Sequence, residues 1–153
     1  MTATVEIDAS AAATWQALTD PNKMKIWMAD DEIEIKTDWQ IGHLFVITGN
    51  LHGVSFENKG RVLQYQPQHR LSYTHLSSIS ELPDHPENDS IITFTLDANP
   101  ARTTVSVNLS GFPNLVIQKH LAFYWRGALV NLKRYLEEQD TTPIKPRYPV
   151  APL

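Results

Sequence analysis

The chain has 153 residues, a formal net charge of −4, no cysteine, 42% hydrophobic residues and 20% charged residues. That length suits one domain with one core, the charge argues against a protein built to hold phosphate backbones, and the lack of cysteine excludes disulfides and thiolate chemistry. With no apolar run near the ~20 residues that cross a bilayer and no signal-peptide pattern at Met1, no membrane insertion is expected and a cytoplasmic location is the default.

Residues 2–8 alternate β-branched and polar side chains and predict a first strand. Ser10 is an N-cap for residues 11–18, where Ala11, Trp15 and Leu18 share a face. Asp20-Pro21 is a second start signal, a capping carboxylate followed by proline at the first helical position, and opens a short helix that presents Met24 and Trp27. Strands are then expected at 32–35, 43–48, 54–66, 71–78, 90–97 and 103–109. Gly60 in the middle of the long 54–66 stretch signals a bulge or bend. Turns are expected at Ile41-Gly42, Pro67–Arg70 and Asn99-Pro100, and residues 79–89 are too rich in proline and acid to be other than a loop.

Residues 114–138 form the organising element. Leu121, Trp125, Ala128, Leu129, Leu132, Tyr135 and Leu136 fall on one side of a helical wheel, and His120, Arg126, Asn131, Arg134 and Glu138 on the other. Gln118 falls on the apolar side, Phe123 and Val130 on the polar one. A helix about 36 Å long at ~1.5 Å per residue is the element long enough to cover a curved antiparallel sheet. The expected fold is therefore α+β: a curved antiparallel sheet of about six to seven strands around a long C-terminal helix, with two short helices after strand 1 and an internal cavity where side chains do not meet. Residues 1–140 are read as one domain and 141–153, with four prolines, as an extended tail.

Several segments, in this order, resemble one family. They are TWQALTDPNKMKIWM (14–28), DWQIGHLF (38–45), KGRVLQYQPQHRLSYTH (59–75), ITFTLD (92–97), TTVSV (103–107) and LAFYWRGALVNLKRYLE (121–137). Together they resemble the START-like, birch-pollen-allergen-like superfamily, in the branch named for the activator of the heat-shock chaperone ATPase. The resemblance covers roughly residues 3–138; its motifs are specific as a set and weak singly. It implies a helix-grip fold with a hydrophobic cavity between sheet and last helix, and much less about activity, because superfamily members bind lipids, polyketides or hormone-like ligands and some are cyclases or hydrolases. Co-chaperone members carry a separate amino-terminal chaperone-binding domain, for which this chain has no room. His75 stands where related sequences often have tryptophan, which implies a more polar pocket.

No phosphate loop, nucleophile elbow, HExxH pattern or acidic metal cluster is present, so no catalytic residue, metal or cofactor is expected. Of the six histidines, those at 43, 52, 69, 85 and 120 read as surface residues. His75 shares strand parity with Leu71 and Tyr73, so it is either a core histidine satisfied by backbone or a group that orients a ligand or transfers a proton. Gln118, an amide on the buried side of the helix, is either bonded to a neighbouring loop or offered to a ligand. Glu57 and Lys59 read as an exposed ion-pair row. Trp27, Phe45, Phe56, Tyr73, Phe94 and Trp125 are the expected cavity lining, ordinary core residues whose number also suits a flat apolar ligand. Gly111-Phe112-Pro113 is read as a bend near the cavity mouth, a gate or a plain strand-to-helix turn.

The leading expectation is binding of a small hydrophobic molecule of lipid, polyketide or aromatic type, with no nucleic acid partner. A hydrolase or cyclase using His75, Tyr73 and Gln118 is the second reading, and a stand-alone chaperone or ATPase modulator acting through its surface the third. Phe123, Val130 and the tail are candidate homodimer contacts.

Overall fold

The computed structural model describes residues 1–138. Its seven strands form one antiparallel sheet: β1 (Thr2–Ile7), β2 (Ile33–Thr37), β3 (Leu44–Leu51), β4 (Val54–Gln66), β5 (Arg70–Ser77), β6 (Ser90–Ala98) and β7 (Thr103–Ser110), in the spatial order β1-β7-β6-β5-β4-β3-β2. Two short helices, α1 (Ala11–Thr19) and α2 (Pro21–Trp27), follow β1, and the long α3 (Leu115–Glu137) is the last element of the described residues. This is the expected helix-grip arrangement.

The local signals act where they stand. Ser10 Oγ accepts the Ala13 N–H to start α1, and Asp20 accepts the Asn22 N–H beside Pro21 to start α2. Asn114 accepts the Ile117 N–H to start α3. Strand alternation places Phe56, Asn58, Gly60 and Val62 of β4 on the buried side, with Glu57 and Arg61 outside. The register between β4 and β5 shifts between Val62 and Gln64, so the irregularity lies beyond Gly60. Gly60 serves another purpose, for a Cβ there would stand 1.7 Å from the Thr74 carbonyl oxygen. The 79–89 segment, read from sequence as a plain loop, holds two single turns of 3₁₀ helix at Ser78–Ser80 and Pro86–Asn88. The tail at 141–153 lies outside the described residues.

The core fills the space between the sheet and α3, with Trp27, Phe94, Trp125, Leu121 and Leu132 almost fully buried. Its α3 contribution follows the expected stripe as far as Leu132; Tyr135 and Leu136 are half-buried. Three helix placements need correction. Arg134, read as outward, is half-buried. Asn131, read as outward, is 2% exposed, and His120, read as a surface residue, is half-buried. Together with Tyr124 they define a second flank at 120, 124 and 131, the i, i+4, i+11 spacing of one helix side. Helices α1 and α2 pack on α3 as well as the sheet does, and the Tyr124 hydroxyl donates to the Met28 carbonyl just after α2 at 2.7 Å. Because α3 is clasped from two directions, its buried arc is wider than a single apolar stripe. At its far end Lys133 Nζ donates to the Glu6 carbonyl and Glu137 accepts the Asp8 N–H, which fixes α3 along β1.

Candidate functional site

Two cavities meet at the sheet–helix junction. The inner one, of about 20 Å³, is enclosed by core side chains that include Phe45, Tyr73 and Trp125. That is about the space of a single water, so the hydrophobic cavity that the resemblance implies between sheet and last helix is nearly filled by side chains. The outer one measures about 440 Å³ and lies between the end of β5, the 78–89 segment and the first turns of α3. Its wall carries Ile79, Leu82, Val116 and Ile117 among others, and it falls within the ordinary range of small-molecule pockets. His75 and Leu121 line both spaces, so they form the partition between them.

The 78–89 segment acts as a strap that gives the outer pocket its far wall. Ser78 Oγ accepts the Glu57 N–H, Lys59 pairs with Asp84 at 2.7 Å, and the Asn88 amide donates to the Pro83 carbonyl. The Lys59 ammonium is therefore held by a strap carboxylate rather than by Glu57, and the contact raises the Lys59 pKa while lowering that of Asp84. Gly111, at φ 71°, turns the chain from β7 towards α3, and Pro113 takes part in the pocket wall.

Of the residues singled out from sequence, Phe45, Tyr73, His75 and Trp125 line the inner space. Phe45 stacks on Tyr73 with ring centroids 4.4 Å apart, Phe94 meets Trp125 edge-on at 5.1 Å, and Trp27 lies 6.3 Å from Trp125. Trp27 and Phe94 thus stand one layer behind the cavity, the former donating its indole N–H to the Ala17 carbonyl. Phe56 is buried against Gly49 and lines neither space. Gln118 is half-buried and also lines neither, although its neighbour Ile117 packs against the core and lines the outer pocket. Sequence reading missed Tyr124, Met28 and Leu121 on the inner wall and His120 on the outer one. The spacing of His120, Tyr124 and Asn131 carried that signal, unrecognised because the second flank is not uniformly apolar.

The chemistry offered is hydrogen bonding inside an apolar enclosure. Burial pushes the Tyr73 phenol above its ordinary range and the Tyr124 phenol well above it, so both are neutral donors. The Trp125 indole N–H is buried without a hydrogen-bond partner among the described residues. Among those residues no group of three or more His, Asp or Glu side chains is placed to hold a metal ion. No helix among them is long and apolar enough to cross a membrane.

The architecture recurs in solved structures. A solution structure of a protein from Cytophaga hutchinsonii is 31% identical, with a TM-score of 0.74 over 92% of this chain and 96% of that one. The Aha1 dimer from Colwellia psychrerythraea is 23% identical with a TM-score of 0.68 over 90% and 95%. A protein of the dynemicin biosynthetic locus, DynU16, is 21% identical with a TM-score of 0.70 over 91% of this chain and 47% of its own. No curated protein matches in sequence. Residues 8–137, which hold both cavities and every element except β1, match the model of one family, and the chain belongs to it: the Activator of Hsp90 ATPase homolog 1-like proteins.

Proposed function

We propose that the protein binds a small apolar molecule and that the molecule occupies the outer pocket, its leading end against the His75–Leu121 partition. The observation that carries this is the pairing of an apolar-walled space of about 440 Å³ with an inner void that shares two of its residues. A ligand in the outer pocket meets Ile79, Leu82, Val116 and Ile117, and needs no rearrangement of the core. The family's fold accords with this reading, and one fold neighbour comes from a biosynthetic locus. The enzyme reading has less geometric support: Tyr73 and His75 line the inner space, whereas Gln118 stands apart from both.

The test is a thermal-shift and native mass spectrometry panel of small aromatic and aliphatic alcohols, run on wild type and on Ile117→Glu. A ligand at about 100 times its Kd adds about 2.7 kcal/mol, a rise in Tm of roughly 5–10 °C for a chain of this size. The expected result is a rise in wild type that the pocket-wall charge abolishes. No rise in wild type, or equal rises in both, overturns the assignment.

We also infer that α3 pairs with a second copy of the chain through its outer face. Phe123 is 75% exposed, and Val116, seven residues before it and 74% exposed, stands where this face meets the rim of the outer pocket. Val130, a further seven residues along, is half-buried. One relative of the same fold is described as a dimer. Sedimentation of wild type should give a dimer, and Phe123→Lys a folded monomer whose Tm, unlike that of wild type, does not depend on protein concentration. A wild-type monomer across the micromolar range overturns the inference.

A further inference from the structure

The wall of the outer pocket is mixed, with His75, Ser77, Ser80, Asn88 and Asn114 beside its apolar residues, and His120 is the polar group in it whose hydrogen bonding is incomplete. Its ring is half-buried in the pocket wall, and its Nε2 is shielded from solvent without a hydrogen-bond partner among the described residues. Native structures rarely leave a buried polar atom in that state without a reason. The neighbourhood limits what could satisfy it. Among the described residues the wall contains no Asp, Glu, Lys or Arg, and its titratable groups are His75 from β5 and His120 from α3. Lys119 on α3 and Glu81, Glu87 and Asp89 on the strap lie beside lining residues in the chain but are not part of the wall. Burial alone lowers the His120 pKa below its ordinary 6.5, with no charged neighbour contributing, so the ring is neutral at pH 7.

We propose that the ligand is uncharged, an apolar body carrying one hydroxyl or carbonyl oxygen that hydrogen-bonds to His120 Nε2. The proposal rests on the pocket reading above and narrows it to a ligand class. A neutral imidazole serves either oxygen type, because its Nε2 donates in one tautomer and accepts in the other. Because Nε2 is shielded from the pocket as the ring stands, binding requires a turn of the ring about χ2 to bring that nitrogen to the ligand. A carboxylate, phosphate or ammonium would instead give up its hydration in a wall that holds no opposite charge to replace it. Charged amphiphiles are therefore discriminated against by the same residues that accept a neutral one.

The test is a matched series of probes on one aromatic body: 2-naphthol, naphthalene, 2-naphthoate and 2-naphthylmethylamine, titrated at neutral pH by fluorescence. Wild type should hold naphthol roughly three- to tenfold tighter than naphthalene, the gain of one net hydrogen bond. Both charged probes should bind more weakly than naphthalene. His120→Phe should bring naphthol down to naphthalene and leave naphthalene unchanged, whereas His120→Gln, which keeps a hydrogen-bonding amide, should retain the naphthol preference. If naphthoate or the amine binds tightest, or if naphthol and naphthalene bind alike, the uncharged class is overturned while the pocket reading stands. If none of the four binds, both fall. Should His120→Phe fail to fold, the wild-type series with His120→Gln decides alone.

Discussion

Gly60→Ala is expected to lower stability by more than about 3 kcal/mol, the top of the range for ordinary overpacking. An added Cβ would stand 1.7 Å from the Thr74 carbonyl oxygen and 2.6 Å from its carbon, both backbone atoms that no rotamer change can move aside. Relief requires β4 and β5 to separate, yet the Arg61 N–H donates to Thr74 Oγ1 at 2.9 Å beside the same point. The conformation of Gly60 is not the cause, since it is not among the glycines with positive φ. Chemical denaturation of Gly60→Ala against wild type measures the loss, and a protein of ordinary stability would keep only part of its 5–15 kcal/mol. Thr74 and His75 follow one another on β5 and both line the inner cavity, so the strain is delivered at the site. A loss below about 1 kcal/mol would mean that the two strands separate easily there.

The same residue shows what a sequence can and cannot say about this protein. Glycine inside a strand pattern signalled a bulge or a close backbone approach, and it is the second, the Thr74 carbonyl of the partner strand, that requires glycine here. The register shift itself, between Val62 and Gln64, depends on the partner strand and could not be read from β4 alone. Helix starts were legible because their cause is local: Ser10 and Asp20-Pro21 satisfy N–H groups two or three residues away. The site was less legible for the same reason as the register shift. A helical wheel gives the angle of His120 or Gln118 but not what stands opposite. The strap faces His120, whereas Gln118, one residue after the core-packed Ile117, is turned to neither cavity. Cavity volume was the least legible quantity of all. It is the small remainder after Phe45, Tyr73, Leu121, Tyr124 and Trp125 have filled the interior from separate elements, so one rotamer changes it severalfold.

Leu121→Ala is the substitution that exploits this remainder. Leu121 is 1% exposed and lines both spaces, so truncation removes most of the partition. Burial of that side chain alone predicts a loss of about 2–5 kcal/mol. The lower half of that range is expected, because the new space joins a pocket that water already reaches, instead of an empty enclosed void. Equilibrium denaturation provides the value. The functional consequence runs the other way. With the partition gone, the outer pocket of about 440 Å³ gains the inner void and the volume of the lost side chain as one continuous slot. A probe with a longer body, such as 4-phenylphenol, should then gain affinity relative to 2-naphthol, although the variant is less stable. Stability and binding respond in opposite directions only if Leu121 is the wall between the two spaces. A variant that loses affinity for both probes in equal measure would show that Leu121 supports the pocket from behind, and that ligands stop short of the core.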